Sequence, residues 1–572
     1  MWGEERVTSP YLINMSKVES LKNFLGLGFG DGNRQNEYYY SQGISFKRGG
    51  IEPGWKIVKQ TDSSTVSSSS GMGLIQAFDE RLEGTDPEIY GVDENGVLLS
   101  VKDGLTNWAR LHIPGTASSG NGLIVDHSQS QRVLYIQDKY LGAFDGTNYF
   151  DTFRGLQWTT TAPKPADIYA DWVAMGNSST VALLNITDDS WNHDAFNMPP
   201  LFVIRALRAG RAGVLIGANF NNRGVLVLWD CQSDRSIAPW MWTKGKVQAI
   251  AKYKGIWVVS TGREYILTDG YSVLKSYSPP DLEETYNFGP NIPEGMVVED
   301  DKVFVQAATP SYNRNKNGVF ILDLVTGLWE FCPHSTFNTY SNATGGALFI
   351  SSTNKRYASY GDSFISPNQD FIGTISGSAN SSIYVSGVIG AQSPVEKKPD
   401  KVILNLSHAL HDFNAYSDPE WHLYIKLYNF RRPLWGYGIA KVGGALTTQI
   451  TVNATLAGYN KAEKGDEITF LEGVNAGLIR HINSISAAGT ATEVWTLNKA
   501  LAGVIEINAR MNISPFQEVG EKWVAASSIK DDRLEIPIDK TILGRKFLMK
   551  LFIENTYGTP HIENASVFLD EL

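Results

Sequence analysis

Much of what marks a protein of this size is scarce or missing here. Only two cysteines occur in 572 residues, Cys231 and Cys332. Their spacing excludes a disulfide framework and a clustered zinc site, which leaves them as expected buried thiols. No run of about 18 apolar residues occurs, so no membrane-spanning helix is expected. Long segments with apolar residues at i, i+3, i+4 and i+7 are missing too, which excludes a helical architecture. Positive charge is in deficit: 50 Lys and Arg stand against 60 Asp and Glu, for a net charge of −10. Without a concentrated basic stripe, nucleic acid is excluded as a main ligand. The pair Arg431 and Arg432 in "NFRRPLW" reads as a solvated strand edge. The opening "MWGEERVTSPYLINMSKV" lacks the basic-then-apolar order of a cleavable leader, and Met15 stands as an alternative start.

What is abundant is the material of strands and tight turns: 54 glycines, 25 tyrosines and 25 phenylalanines. "GVFILDLVTGLWEF", from Gly318 to Phe331, shows the unit. Apolar residues alternate up to a turn at Asp323, Thr326 and Gly327, and a tryptophan opens the return strand. Similar hairpins centre on Asp93, Asp145, Asp188, Asp230, Asp269 and Asp362, at intervals of 39 to 54 residues. A period near 40 to 50 residues is that of a four-stranded propeller blade. A blade has two apolar faces and buries neither alone, so blades stack around an axis. The chain is therefore expected to be all-β, with a six- or seven-bladed β-propeller over residues 71–395. A large β-sandwich or two stacked sheets is the competing arrangement.

Residues 1–70 are expected to be an N-terminal arm with first strands joining the propeller. Pro394, Pro399 and the charged run Glu396–Lys398 mark a boundary. Beyond it, "WHLYIKLYNF" and "GRKFLMKLFIENTYGTPHIENASVFL" alternate in one style. They read as two halves, 396–440 and 511–572, of a split β-sandwich. Between them, 441–510 holds short strands separated by Gly465, Gly473 and Gly477. That rhythm resembles a small five-stranded SH3-like barrel, inserted at an exposed loop as a spacer or contact unit.

The chemistry is sparse. "VKDGLTNWARL" resembles the Asp-box of sialidases, but its Gly and Thr come one place early and its leading residue is Val. Asp103 therefore reads as a turn residue. Glycoside hydrolysis needs two carboxylates facing each other across a pocket. Glu283 and Glu284, and Glu299, Asp300 and Asp301, are adjacent in sequence, and neighbours on a strand point to opposite faces. His408 and His411, with Asp412 beside them, form the closest approach to a metal set, with no further ligand evident. "GLGFGDG", Gly26 to Gly32, has no helix after it, and neither a nucleophile elbow nor a P-loop is found. No catalytic, cofactor-binding or metal-binding residue is expected. The candidates that remain are aromatic: Trp191 in "DSWNHDAF", and Trp240 and Trp242 in "APWMWTKG", as interface or glycan contacts. Packing of Trp240 and Trp242 between blades is the alternative for that pair.

"NEYYYSQGISFKRGGIEPGWKI", leading into a long propeller, together with the ending "KFLMKLFIENTYGTPHIENASVFL", resembles the propeller-bearing tail proteins of tailed bacteriophages. The resemblance implies a non-enzymatic structural component at a tail tip or nozzle-like ring of the virion, without cofactor, made in the host cytoplasm. Its implied partners are other phage tail proteins and further copies of itself in a symmetric ring. A receptor-binding protein for host surface glycan is the second expectation, and a glycan-cleaving propeller enzyme the third.

Overall fold

The computed structural model describes residues 72–376, less 83–86, 104, 116–119, 127–130, 160–161, 280–287, 308–317, 334–343 and 363–368. Outside that span it describes the strands named below and short stretches beside them. Two compact units emerge, one of 54–379 with 455–460 and one of the remaining chain.

The first unit is built from four-stranded antiparallel meanders. Blade 1 runs Ile75–Arg81, Glu88–Asp93, Leu98–Lys102 and Ala109–His112. Blade 2 follows with Gly120–Val125, Val133–Gln137, Tyr140–Phe144 and Tyr149–Gly155, and blade 3 with Ala166–Tyr169, Trp172–Asn177, Thr180–Asn185 and Trp191–Asn197. Blade 4 comprises Val203–Gly210, Gly213–Phe220, Arg223–Trp229 and Met241–Trp242, and blade 5 Ala249–Tyr253, Ile256–Ser260, Tyr265–Thr268 and Val273–Tyr277. Blade 6 is Met296–Glu299, Lys302–Ala307, Gly318–Asp323 and Trp329–Pro333. Blade 7 takes Thr344–Ile350, Arg356–Asp362 and Gln369–Ser376 from one end of the unit and its outermost strand, Lys56–Asp62, from the other. First strands of successive blades neighbour one another, and that of blade 7 returns to that of blade 1, closing the ring. The fold is a β-propeller.

Second strands are buried along most of their length and apolar at their centres, as strands covered on both faces must be. Each apolar layer draws on two blades. Val181 and Phe196 of blade 3 meet Leu207, Val214 and Trp229 of blade 4, and Leu215 and Leu228 of blade 4 meet Trp257 and Ile266 of blade 5. Ile75, Phe78 and Trp108 of blade 1 meet Tyr357 and Ile372 of blade 7. Trp257 lies so close to Gly210 that a Cβ there would fall 2.4 Å from its ring.

The aspartate turns resolve into two kinds. Asp145, Asp230, Asp269 and Asp323 each end or follow a third strand, and each carboxylate accepts from the backbone N–H groups two and three residues on, at 2.7–3.0 Å. Asn185 does the same work beside Asp188. Asp93 and Asp362 instead end second strands. The position in blade 1 that matches the others is Asp103, directly after Lys102. The expected centre at Asp93 was thus one hairpin out of phase, because any tight turn rewards the same residue types.

In the second unit, strands from both expected halves pair across the insertion. One sheet runs in the order Tyr38–Gln42, Ser381–Ser386, Phe547–Asn555, Trp421–Phe430, Phe516–Ala525. Another includes Ile44–Lys47, Gly50–Pro53, Ile562–Glu571, Lys397–Leu406 and Arg533–Pro537, with Lys17–Lys22 on Ile562–Glu571. Ala565, Val567 and Leu569 are buried in alternation. As expected of the N-terminal segment, Lys56–Asp62 joins the propeller. One expected boundary shifts: Ser381–Ser386, inside the expected 71–395, pairs with Phe547–Asn555 instead. The inserted barrel closes with six strands rather than five, because Gly436–Val442 and Arg510–Ser514 flank 441–510 and pair with each other. Ile450, Ile468, Phe470, Ile482, Trp495 and Met511 fill it.

Candidate contact face

Blade 4 gathers aromatic side chains at one edge. The segment before its first strand, "NMPPLFV", contains two prolines that stiffen the approach, and the Phe202 N–H donates to the Pro199 carbonyl at 3.2 Å. Leu201 is held at φ +77°, in the left-handed region, and is 79% exposed. Phe202 lies at the centre. Its ring stacks on Phe220 (5.1 Å between centroids, 21° between planes), meets Trp240 edge-on at 5.8 Å, and lies 6.2 Å from Trp242. The rings come from three places: the lead-in segment, the end of the second strand, and the outermost strand with the residue before it. Only the folded blade assembles them.

The three tryptophans singled out in the sequence part company here. Trp240 is partly buried against the layer between blades 3 and 4, with its Nε1–H donating to Ser236 Oγ at 3.3 Å. Trp242, paired with Val225, is 55% exposed. Trp191 opens the outermost strand of blade 3 and packs against the layer between blades 2 and 3, away from the other two. Phe202 and Phe220 carry no sequence signal of this face, because each stands alone in the chain and they meet each other and the tryptophans only in the folded blade. Around the face stand the exposed Asn221, Asn222 and Arg223, and Lys244, whose ammonium pairs with Glu264 at 3.1 Å.

The carboxylates considered for chemistry are engaged within the propeller. Asp103 accepts from Tyr357 Oη, Thr353 Oγ1 and Ser351 Oγ of blade 7. Burial would raise its pKa, but these bonds and the Lys355 charge outweigh it and hold the carboxyl below the usual range. Glu299 pairs with Arg356 at 2.5 Å, and Asp301 accepts from Tyr253 and Lys254 at 2.6 and 2.7 Å. Glu283, Glu284, His408, His411 and Asp412 lie outside the described residues.

Charges on the first strands also pair with one another. Arg208 of blade 4 bridges to Glu294, ahead of blade 6, and Lys252 of blade 5 pairs with Asp167 of blade 3 at 2.9 Å. Both bridges skip a blade. Lys252 and Asp167 join first strands that are not neighbours in the ring, and Arg208 reaches from a first strand to the segment ahead of another. Burial works against the Arg208 charge, yet Glu294 and Asp167 more than compensate and raise its pKa.

No protein-family model and no curated protein matches the chain. Solved structures similar to it include a streptogramin B lyase, at 8% identity and a TM-score of 0.40, over 57% of this chain and 98% of that one. The WD40 β-propeller domain of Doa1 aligns at 11% identity and a TM-score of 0.39, over 55% and 96% of the two chains. A virginiamycin B lyase from Staphylococcus aureus aligns at 10% identity and a TM-score of 0.39, over 56% and 99%. Similarity of this degree carries no argument about activity, and the propeller rests on its own strand topology.

Proposed function

We propose that this chain is a non-enzymatic structural component of a bacteriophage tail, which binds other virion proteins through the aromatic face of blade 4. The observation that carries the binding role is the cluster of Phe202, Phe220, Trp240 and Trp242, in which Trp242 is exposed and the other rings are partly buried, with Leu201 exposed beside it. Exposed aromatics grouped around one centre mark contact surfaces, since they bury large area at little entropic cost. The tail context comes from the resemblance of the N-terminal and C-terminal segments. A propeller suits it, because a closed ring of blades is stiff and leaves only short edges. Copies arranged about the tail axis would present this face in a ring.

Recognition of a host surface glycan is the second reading, favoured by the Asn221, Asn222 and Arg223 turn that follows Phe220. A sugar face stacks on an exposed indole, while amide and guanidinium groups bond its hydroxyls. Immunogold labelling of the parent particles tests the first reading: gold at one end of the tail is expected, and unlabelled particles overturn it. Trp242→Ala separates the two. Loss of the chain from particles identifies a virion partner, whereas complete particles that fail to adsorb identify a glycan.

A further inference from the structure

The two faces of the propeller differ in chemistry. In an antiparallel four-stranded blade, the lead-in segment and the turn between second and third strands lie at one end. The first-to-second and third-to-fourth turns lie at the other. The aromatic cluster of blade 4 is on the lead-in face: Leu201 and Phe202 precede a first strand, Phe220 ends a second and Trp242 ends a fourth. Cations stand beside it. Arg223, Lys244, Lys246 and Arg263 are all exposed. They are neighbours, because the Gly224 N–H donates to the Gly245 carbonyl at 2.9 Å, and a Cβ on Gly245 would stand 3.3 Å from Arg263 Cγ. Glu264, next to Arg263, is buried and pairs with Lys244.

The opposite face carries acid. Asp145, Asp188, Asp230, Asp269 and Asp323 occupy the third-to-fourth turns of blades 2 to 6. In blades 5 and 6, acid and exposed apolar residues come together. The Leu324 N–H donates to the Asp301 carbonyl at 2.8 Å, which sets the Asp300–Asp301 turn beside the Asp323 turn. Tyr277 Oη and Lys275 Nζ of blade 5 donate to the Leu324 carbonyl, at 2.5 and 3.1 Å, and join the outermost strand of blade 5 to the same place. Val325, at the tip of the Asp323 turn, is 69% exposed, and Tyr271, in the Asp269 turn, is 54% exposed. Lys254, the nearby cation, is engaged by Asp301 at 2.7 Å.

We propose that the aromatic face of blade 4 docks on the acidic turn face of blades 5 and 6 of a second copy of this chain. The inference rests on the reading of that aromatic face as a protein contact. Trp242 and Leu201 on one copy, and Tyr271 and Val325 on the other, supply the apolar centre, with opposite charges around it. Two like faces would bring like charges together, so charge selects the head-to-tail arrangement. The two patches differ, so the contact is heterologous and leaves one patch of each kind free at the ends. Assembly then continues until it closes a ring or runs on as a stack.

Sedimentation velocity of the purified full chain, with no other virion protein present, tests this. The mass should rise with concentration, with a Kd below about 0.1 mM. Raising the salt from about 0.05 M to about 0.5 M should weaken the association roughly tenfold, because it screens the charges. Two variants reverse one patch each: Arg223→Glu with Lys246→Glu, and Asp300→Lys with Val325→Lys. Lysine fits at 300, since Lys254 holds the matching turn of blade 5 and both residues have positive φ. With thermal midpoints unchanged, each variant alone should be monomeric. Their equimolar mixture should form dimers and nothing larger, because one intact patch of each kind remains. A monomeric wild-type chain, a variant that still self-associates, or a mixture that stays monomeric overturns the proposal. A monomeric chain that Trp242→Ala still removes from particles overturns self-docking alone and gives the face to another virion protein. If those particles are complete but fail to adsorb, the face belongs to a glycan. A self-associating chain that never labels particles overturns only the tail reading.

Discussion

Asp370→Asn should stabilise the propeller at pH 8 and leave it unchanged near pH 4. Asp370 lies on the third strand of blade 7, where burial first, and then the charges of Glu94 and Asp93 on blade 1, push its carboxyl up to about 7. The unfolded carboxyl titrates near 3.8. Between about pH 4 and pH 7 the native chain therefore keeps a proton that the unfolded chain has released, and stability falls as pH rises through that window. Above pH 7 the loss is complete. Three pH units correspond to a ceiling of about 4 kcal/mol. Asp370 is only partly buried, so solvent screening reduces the expected figure to roughly 1–2 kcal/mol. Asparagine has nearly the same shape and cannot ionise, so it removes this term and little else. Urea unfolding of both chains from pH 4 to pH 8, followed by tryptophan fluorescence, would measure the gap. It should open with rising pH and level off above 7. A gap of constant size across the range would refute the reasoning, because it would owe nothing to ionisation.

Asp323→Ala removes two backbone hydrogen bonds from an exposed turn and should cost about 1 kcal/mol in urea unfolding. Glu294→Gln leaves the enclosed Arg208 guanidinium without its closest anion and should cost about 3 kcal/mol, a loss readable as a lower thermal midpoint. Burial pushes the Cys231 thiol up to about 12 and Cys332 further still, so neither should react with a thiol reagent at pH 8 until the chain is unfolded.

How much of this could be read in advance differs from feature to feature. The all-β character was plain in alternation and glycine content, and the aspartate turns at Asp145, Asp230, Asp269 and Asp323 were correctly spotted. Asp93 was mistaken for a member of that set because second-to-third and third-to-fourth turns draw on the same residues. Asp103 holds the matching position in blade 1, but its carboxylate bonds to blade 7 rather than to its own turn, and in the sequence it stands out for its partial likeness to an Asp-box. Of the aromatic face, Trp240 and Trp242 were legible as a pair two residues apart. Phe202 and Phe220 were not, and Trp191 was grouped with residues that it does not meet.

Local pattern by itself determined the strands, the hairpins and their approximate period, since alternation and turn chemistry are written within ten or so neighbouring residues. Tertiary structure decided which strand closes the ring, where Lys56–Asp62 pairs with Gln369–Ser376 across more than 300 residues of chain. It decided too that strands from 17–53 pair with strands beyond 380, that Asp103 bonds to blade 7, and that four rings from three segments share one face. Closure of this kind is set by which apolar faces and open edges remain once every local hairpin has formed. That remainder is a property of the assembled sheets and of no single stretch of sequence.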